Sequence, residues 1–357
     1  MAAGSAVSAQ RVDMSTQLAS FLLPDPVLTA SGCAAAGREL APFLDLTAIG
    51  AVVTKSIMLD ARSGRPTPRM AETPSGMLNS IGLQGPGVEE FVAKDLRWLR
   101  ERGIRTVVSI AGGSVQEYQK LAQRLRHEPG IAAIEVNISC PNVESRGQVF
   151  ACDPLSAGSV VQVVRRHTAP DVPVLAKLSP DVTDIVDIAR AVVEAGADGL
   201  ALINTLLGMV IDPDTMRPVL GGMTGGLSGP AIRPVAVRAV WQVHAAHPRV
   251  PILGMGGIRT GQDAFEFLLA GASAVSVGTV VFNDPHAPAR VSAELRDLLA
   301  ARGITRLADA VGLGHTMQAR HVEAQADRRA PQVAAPDTRT AGPRPAGQGA
   351  LDGRRAR

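Results

Sequence analysis

Ile131-Ala-Ala-Ile-Glu-Val-Asn-Ile-Ser-Cys-Pro-Asn142 is an apolar run that ends in an amide, a hydroxyl and a thiol and is stopped by a proline. Residues 131–138 read as a buried strand with Asn137, Ser139 and Cys140 at its carboxyl end. Pro141 has no main-chain N–H to give a sheet and ends the run. A strand that delivers polar groups and then breaks holds them on a rigid support above a sheet, which catalysis needs and packing does not. A Cys beside a Pro is by itself more often an inert packing residue than a reactive one. The neighbouring runs decide between the two.

Outward from this stretch, between residues 25 and 315, short apolar runs alternate with helical patterns. The runs are 27–30, 49–55, 106–110, 132–138, 173–178, 199–203, 251–255 and 274–278. They are rich in Val and Ile and mostly lack polar alternation, as parallel strands covered on both faces should. Amphipathic helices lie between them, such as 89–102 (Phe91, Val92, Leu96, Leu99) and 183–195 (Ile185, Ile188, Val192). Strands joined by helical crossovers point to an α/β fold, a single (β/α)8 TIM barrel, for which about 250 residues suffice. Two long connections, 56–88 and 204–232, are full of Gly, Pro, Ser and Thr and follow strand ends. They are the expected loop insertions at the C-terminal face of the strands, over the barrel mouth.

The 357 residues carry 46% hydrophobic and 19% charged side chains, enough for one large core. No run of 18 apolar residues marks a membrane span, and Met1 to Met14 lacks the apolar centre of a signal peptide. Three cysteines, Cys33, Cys140 and Cys152, are an odd number without metal spacing, which fits a reducing cytoplasm. The net charge is +3, but residues 320–357 hold eight Arg against Glu323, Asp327, Asp337 and Asp352. That segment supplies +4 of the total, so the remainder is near −1 and offers no basis for a nucleic-acid surface. The expected organisation is a flexible extension over 1–17, a barrel over 18–318, and a tail without order over 319–357, rich in Ala, Pro, Arg and Gly.

The strand ends carry chemistry. The second ends in Lys55-Ser56 and the fifth in Lys177-Leu178-Ser179. A lysine aimed into a barrel mouth is costly unless something anionic or electron-rich meets it. Of only five Asn in the chain, Asn79, Asn137 and Asn204 fall on mouth positions, and Asn142 follows the Cys. Asn both donates and accepts, so this cluster suits a flat ligand bearing its own amides, although any single Asn is as readily a loop cap. Gly254-Met-Gly-Gly-Ile258 after strand seven and Val277-Gly-Thr279 at strand eight resemble a phosphate cradle, with 226–229 as a further approach. The seven His (127, 167, 244, 247, 286, 315, 321) avoid the strand ends, so neither a His base nor a metal site is expected. Asp198 and Glu135 read as structural partners, which leaves Cys140 as the proton acceptor at the mouth.

Several motifs together resemble a dihydroorotate dehydrogenase of class 1, most of all class 1B. They are Asn137-Ile-Ser-Cys-Pro-Asn-Val143, Glu72-Thr-Pro-Ser-Gly-Met-Leu-Asn-Ser-Ile-Gly-Leu-Gln84 and Lys177-Leu-Ser-Pro-Asp-Val-Thr-Asp-Ile185. Leu202-Ile-Asn-Thr-Leu206, Thr224-Gly-Gly-Leu-Ser-Gly-Pro-Ala-Ile232 and Gly254-Met-Gly-Gly-Ile258 complete the match over about residues 20 to 315. The resemblance implies one FMN per chain and oxidation of (S)-dihydroorotate to orotate in pyrimidine biosynthesis, Cys140 taking a proton from C5 while a hydride leaves C6. It implies substrate contacts at Lys55, Asn79, Ser80, Ile81, Gly82, Leu83, Asn137, Asn204 and Thr205. Flavin contacts are implied at Ser31, Lys55, Ser56, Ser109, Asn137, Lys177, Ile203 and Gly229, and phosphate contacts at Gly256, Gly257, Gly278 and Thr279.

Three positions depart from the family pattern. Ser109 stands where class 1B relatives often have Asn, Arg146-Gly147 where a Gly pair is expected, and Ala34-Ala-Ala follows Cys33 where aromatic or Gly residues are common. Class 1B also implies NAD+ as acceptor through a partner subunit carrying FAD and a 2Fe–2S cluster, in a heterotetramer built on a homodimer of this chain. No Cys cluster or Rossmann glycine motif is present to hold those groups here. The alternatives are a class 1A enzyme that reduces fumarate, a dihydropyrimidine dehydrogenase-like catalyst acting on uracil or thymine, and a degenerate flavin-binding scaffold. Lys55 and the 79–83 segment favour a carboxylated ring.

Overall fold

The computed structural model describes residues 9, 12–138 and 152–329. Eight parallel strands form one sheet: β1 (Val27–Thr29), β2 (Val52–Val53), β3 (Thr106–Ile110), β4 (Ile131–Asn137), β5 (Val174–Leu178), β6 (Gly199–Leu202), β7 (Ile252–Met255) and β8 (Ala274–Val277). Their order is β1-β8-β7-β6-β5-β4-β3-β2. A parallel bridge between Leu28 and Ala51 joins the two outer strands, so the sheet closes into a (β/α)8 barrel. Each expected run forms a strand, but 49–55 contributes only Val52–Val53 to the regular ladder. There the Thr29 hydroxyl accepts from Val53 N at 3.0 Å and donates to Val53 O at 3.4 Å, so a side chain stands where a main-chain partner would.

Successive strand residues face opposite sides, and this divides the core. Outward residues such as Val52, Val108, Val136 and Leu200 pack beneath the surrounding helices. Those helices include α1, a continuous helical segment over 88–101 whose middle, Phe91–Leu96, is π-helical. Helices α2 (Val115–Leu125), α3 (Pro154–His167), α4 (Ile185–Glu194), α5 (Arg233–Ala246), α6 (Gly261–Ala270) and α7 (Ala287–Ala301) follow. Ser114, Asp153, Asp184 and Thr260 cap α2, α3, α4 and α6 with side-chain oxygens on orphan N–H groups. Inward residues fill the barrel, one from each strand: Leu28, Val53, Val107, Ala133, Leu175, Ala201, Leu253 and Ala274. One step further along most of the same strands this apolar layer gives way to Lys55, Ser109, Glu135, Lys177 and Ser276, and the barrel turns polar at its mouth.

At both chain ends regular structure extends further than expected. Residues 12–17, expected within a flexible extension, are ordered by burial: Val12 and Met14 pack into the core. Thr16–Leu18 pairs antiparallel with Phe21–Leu23, and Leu18 and Leu23 join the apolar cluster inside the barrel, closing the end opposite the mouth. The chain divides between Met317 and Gln318. Residues 319–329, expected in a tail without order, continue a helix, α8 (Leu313–Arg329). Ala, Gln, Glu and Arg dominate that stretch and are strong helix formers, and Pro first appears at 331. Residues 330–357 lie outside the described part.

Candidate active site

The two insertions build one structure. Strands Met70–Thr73 and Gly76–Asn79 from the first, and Leu206–Gly208 and Gly225–Ser228 from the second, form a four-stranded antiparallel sheet in which Gly226 opposes Asn79. A Cβ at Gly226 would lie 2.1 Å from Thr205 Oγ1, so only glycine allows this approach. The Asn79 amide donates to Gly226 O at 3.2 Å and is held across the seam. Two cavities open at the barrel mouth, and this sheet contributes to the walls of both.

The first cavity, about 360 Å³, has Lys177, Met255 and Ser276 from the barrel strands on its wall. Ser31 and Cys33 after β1, Ile203 after β6, and Gly229 from the insertion also line it. Its far end is a glycine cradle of Gly256 and Gly257 after β7 with Gly278 and Thr279 after β8. Gly257 sits at φ +79°, and an added Cβ would meet Gly229 O at 2.7 Å and Arg233 Cβ at 2.9 Å. The Gly257 N–H has no acceptor among the described residues, and the short helix Thr279–Phe282 begins at the same place with its own unpaired N–H groups. Arg259 adds a positive charge to that wall. A close, bare backbone with spare N–H donors and a cation fits a phosphate group, and a volume of this order suits a small cofactor.

The second cavity, about 400 Å³, gathers Lys55, Asn79, Ser80, Ile81, Gly82, Leu83, Asn137, Asn204 and Thr205. Asn204 and Thr205 belong to both cavities, so the two adjoin. Its amides are chained: Asn204 Nδ2 donates to Asn137 Oδ1 at 3.2 Å, and Asn137 Nδ2 donates to Ser56 Oγ at 3.0 Å. Tyr118 fixes the same strand end by donating to Asn137 O at 2.7 Å. The main-chain N–H groups of Gly82 and Leu83 meet no acceptor among the described residues. The backbone there is held open by φ of +77° at Gly82 and +55° at Leu83. Lysine, free N–H groups and oriented amides together can take a carboxylate and a ring of amides.

Not every expected residue reaches a cavity. Ser56 and Ser109 line neither: they hydrogen-bond to each other at 3.0 Å, and Ser109 donates to Glu135 Oε1 at 2.9 Å, all buried behind the mouth. Lys55 and Asn137 line the second cavity alone, although a Cβ on Gly32 would approach Lys55 Nζ to 3.6 Å, which brings that ammonium beside the Ser31–Cys33 wall. Cys140, Asn142 and the Arg146-Gly147 departure lie outside the described residues.

Other residues at the site are not assigned by the sequence. Arg65 lines the second cavity and donates to Ser80 Oγ at 3.1 Å. Asp181 lines it too and accepts from Leu207 N at 3.1 Å, tying the insertion to β5. Cys33 lies on the first, where burial pushes its thiol pKa up against the opposing pull of Lys177 and Lys55. Arg65 lies in the first insertion but outside its Glu72–Gln84 motif, whereas Cys33 stands a few residues after the end of β1, where a strand-end signal could have found it. Among the described residues no group of three or more His, Cys, Asp or Glu could hold a metal ion.

A family model described as dihydroorotate dehydrogenase matches residues 13–299. The dihydroorotate dehydrogenase B (NAD(+)) catalytic subunit of Desulforudis audaxviator is 52% identical over 305 residues, 85% of this chain and 98% of the relative. The protein of the same name from Geobacter sulfurreducens is 50% identical over 303 residues, with the same coverage of both chains. That from Pelobacter propionicus is 51% identical over 300 residues, 84% of this chain and 98% of the relative.

Proposed function

The chain belongs to the dihydroorotate dehydrogenase family, and from that membership we propose that it oxidises (S)-dihydroorotate to orotate in pyrimidine biosynthesis as the catalytic subunit of an NAD+-linked enzyme. The observation that carries the reading is the pair of adjoining cavities, one with a glycine cradle and one with lysine and amides. FMN fits the first, with Gly256, Gly257, Gly278 and Thr279 around its phosphate and Ser31, Lys177, Ile203 and Gly229 along the rest. Dihydroorotate fits the second.

When bound, FMN supplies an acceptor for the hydride that leaves C6 of dihydroorotate. The chain's own residues do the rest. Lys55 and the N–H groups of Gly82 and Leu83 hold the carboxylate, and Asn79, Asn137, Asn204 and Thr205 meet the ring amides, which need donors and acceptors together. Ser80 and Ile81 complete that wall. Cys140 Sγ takes the proton from C5. A thiol serves as a base only when partly ionised, and positive charge or amide donors beside it would favour that form. Ser56 acts through Asn137, whose amide it orients.

Three cysteines without cluster spacing cannot hold an iron–sulfur centre. The onward route that the family resemblance implies is a partner subunit carrying FAD and a 2Fe–2S cluster, in a heterotetramer built on a homodimer of this chain. A cytoplasmic setting belongs to the same proposal. Among the described residues no helix is long and apolar enough to cross a membrane.

The test is anaerobic flavin bleaching of the purified chain on addition of dihydroorotate. Wild type should bleach rapidly and Cys140→Ala about 10²–10⁴-fold more slowly, the range for loss of a general base. Bleaching by dihydrouracil and not by dihydroorotate would replace the substrate assigned. Electrons reaching fumarate from the chain alone, with none reaching NAD+ when the partner is added, would overturn the NAD+ assignment.

A further inference from the structure

Beneath the first cavity Lys177 is paired with Glu135, a carboxylate to which the reaction assigns no task. Glu135 projects inward from β4 and is fully buried at 0% exposure. Its Oε1 accepts from Ser109 Oγ at 2.9 Å and lies 3.7 Å from Lys177 Nζ. Its Oε2 has no hydrogen-bond partner among the described residues. Lys177 is on the cavity wall and Glu135 is not, so the carboxylate stands behind the ammonium. One layer down the same strands offer Val107, Ala133 and Leu175, and an apolar side chain would fill the place of Glu135 without the desolvation penalty of a buried, half-satisfied carboxylate. Packing does not account for it.

Charge does. A flavin gains negative charge when it takes up electrons, and a buried cation beside it favours that gain. A buried anion one position further back opposes it, and the low-dielectric interior screens neither. We propose that Glu135 is a positioning residue: as counter-charge to Lys177 it holds the ammonium at the cavity wall and sets the electrostatic potential that a bound flavin meets there. The inference rests on the assignment of FMN to this cavity. Lys55, whose ammonium stands beside the Ser31–Cys33 wall, is another charge close by, and it is common to every variant compared below.

Spectroelectrochemical titration of the flavin-loaded full chain, without substrate, tests this. Glu135→Gln keeps the size of the side chain and its acceptor for Ser109 but removes the charge, so the flavin midpoint potential should move to more positive values. Lys177→Gln should move it to more negative values, and Glu135→Asp, which keeps the charge, should leave it near wild type. A purely structural role would make Asp as disruptive as Gln and would leave the potential unmoved in both. If Glu135→Gln does not fold, the double variant Glu135→Gln/Lys177→Gln, which buries no lone charge, must titrate more positive than Lys177→Gln. Equal potentials in that comparison, or an unchanged potential in yellow Glu135→Gln, overturn the inference alone. A wild-type chain that binds no FMN overturns both it and the cofactor assignment.

Discussion

Gly257 shows how one residue limits what the first cavity can hold. With φ at +79° and no room for a Cβ against Gly229 O and Arg233 Cβ, alanine there meets left-handed strain of about 1–2 kcal/mol as well as a clash. Gly257→Ala should fold but bind FMN at least about tenfold more weakly, since each 1.4 kcal/mol is a factor of ten, as read from flavin per chain after dialysis. At this scale the strand-end residues are legible in the sequence. Lys55, Asn137, Lys177 and Asn204 follow short apolar runs, and a parallel barrel puts such residues at its mouth. Ser109, which only the family resemblance assigns to the flavin, lines neither cavity, because its short side chain is taken up by Ser56 and Glu135 behind the mouth. Glu135 reads as a structural partner, and its pairing with Lys177 on the adjacent strand becomes visible only with the strands side by side. Arg65 escapes notice because nothing local marks which insertion residue will face a cavity.

Elements carry the next share. The insertions read correctly as cover for the mouth, but as loops. Their pairing into one sheet joins Gly226 to Asn79 across 147 residues, and no local propensity reports a partner that distant. The N-terminal hairpin is hidden for a similar reason: a few residues mean little until Leu18 and Leu23 meet the barrel interior. Asp25, just before β1, joins that strand to α7. It accepts from Val27 N at 3.0 Å and from Ser292 Oγ, and Arg296 lies 3.8 Å away. Burial raises its pKa above the ordinary 3.8, outweighing the two hydrogen bonds and the pull of Arg296 and Arg105. The folded state thus binds this proton more tightly than the unfolded one. The resulting stabilisation is complete below 3.8 and is lost as pH rises through the folded value. Asp25→Asn should therefore gain on wild type as pH is raised from acid to neutral, in unfolding free energies from denaturant titrations. A gap between the two proteins that stays constant or narrows over that range would refute the linkage.

For the whole molecule, the relatives account for nearly their full length while matching about 85% of this chain, and the family match ends at residue 299. The Ala-, Pro-, Arg- and Gly-rich residues 330–357 hold almost no large apolar side chain with which to join a core. Their deletion should leave thermal unfolding, flavin content and dihydroorotate-driven bleaching as in wild type, with a stability change within about 0.5 kcal/mol. A loss of flavin on truncation would instead give the tail a part in the site. The sequence by itself determined the barrel, its strand positions, and the lysines, amides and glycines at its mouth, because short apolar runs and glycine spacing are written in neighbouring positions. The other mouth residues came from the family resemblance. Only the tertiary structure decided that the mouth holds two adjoining cavities, that the insertions form one sheet over them, and that Glu135 stands behind Lys177. Those features depend on which distant segments come into contact, and burial and electrostatic pairing take their energies from that contact rather than from the residues one by one.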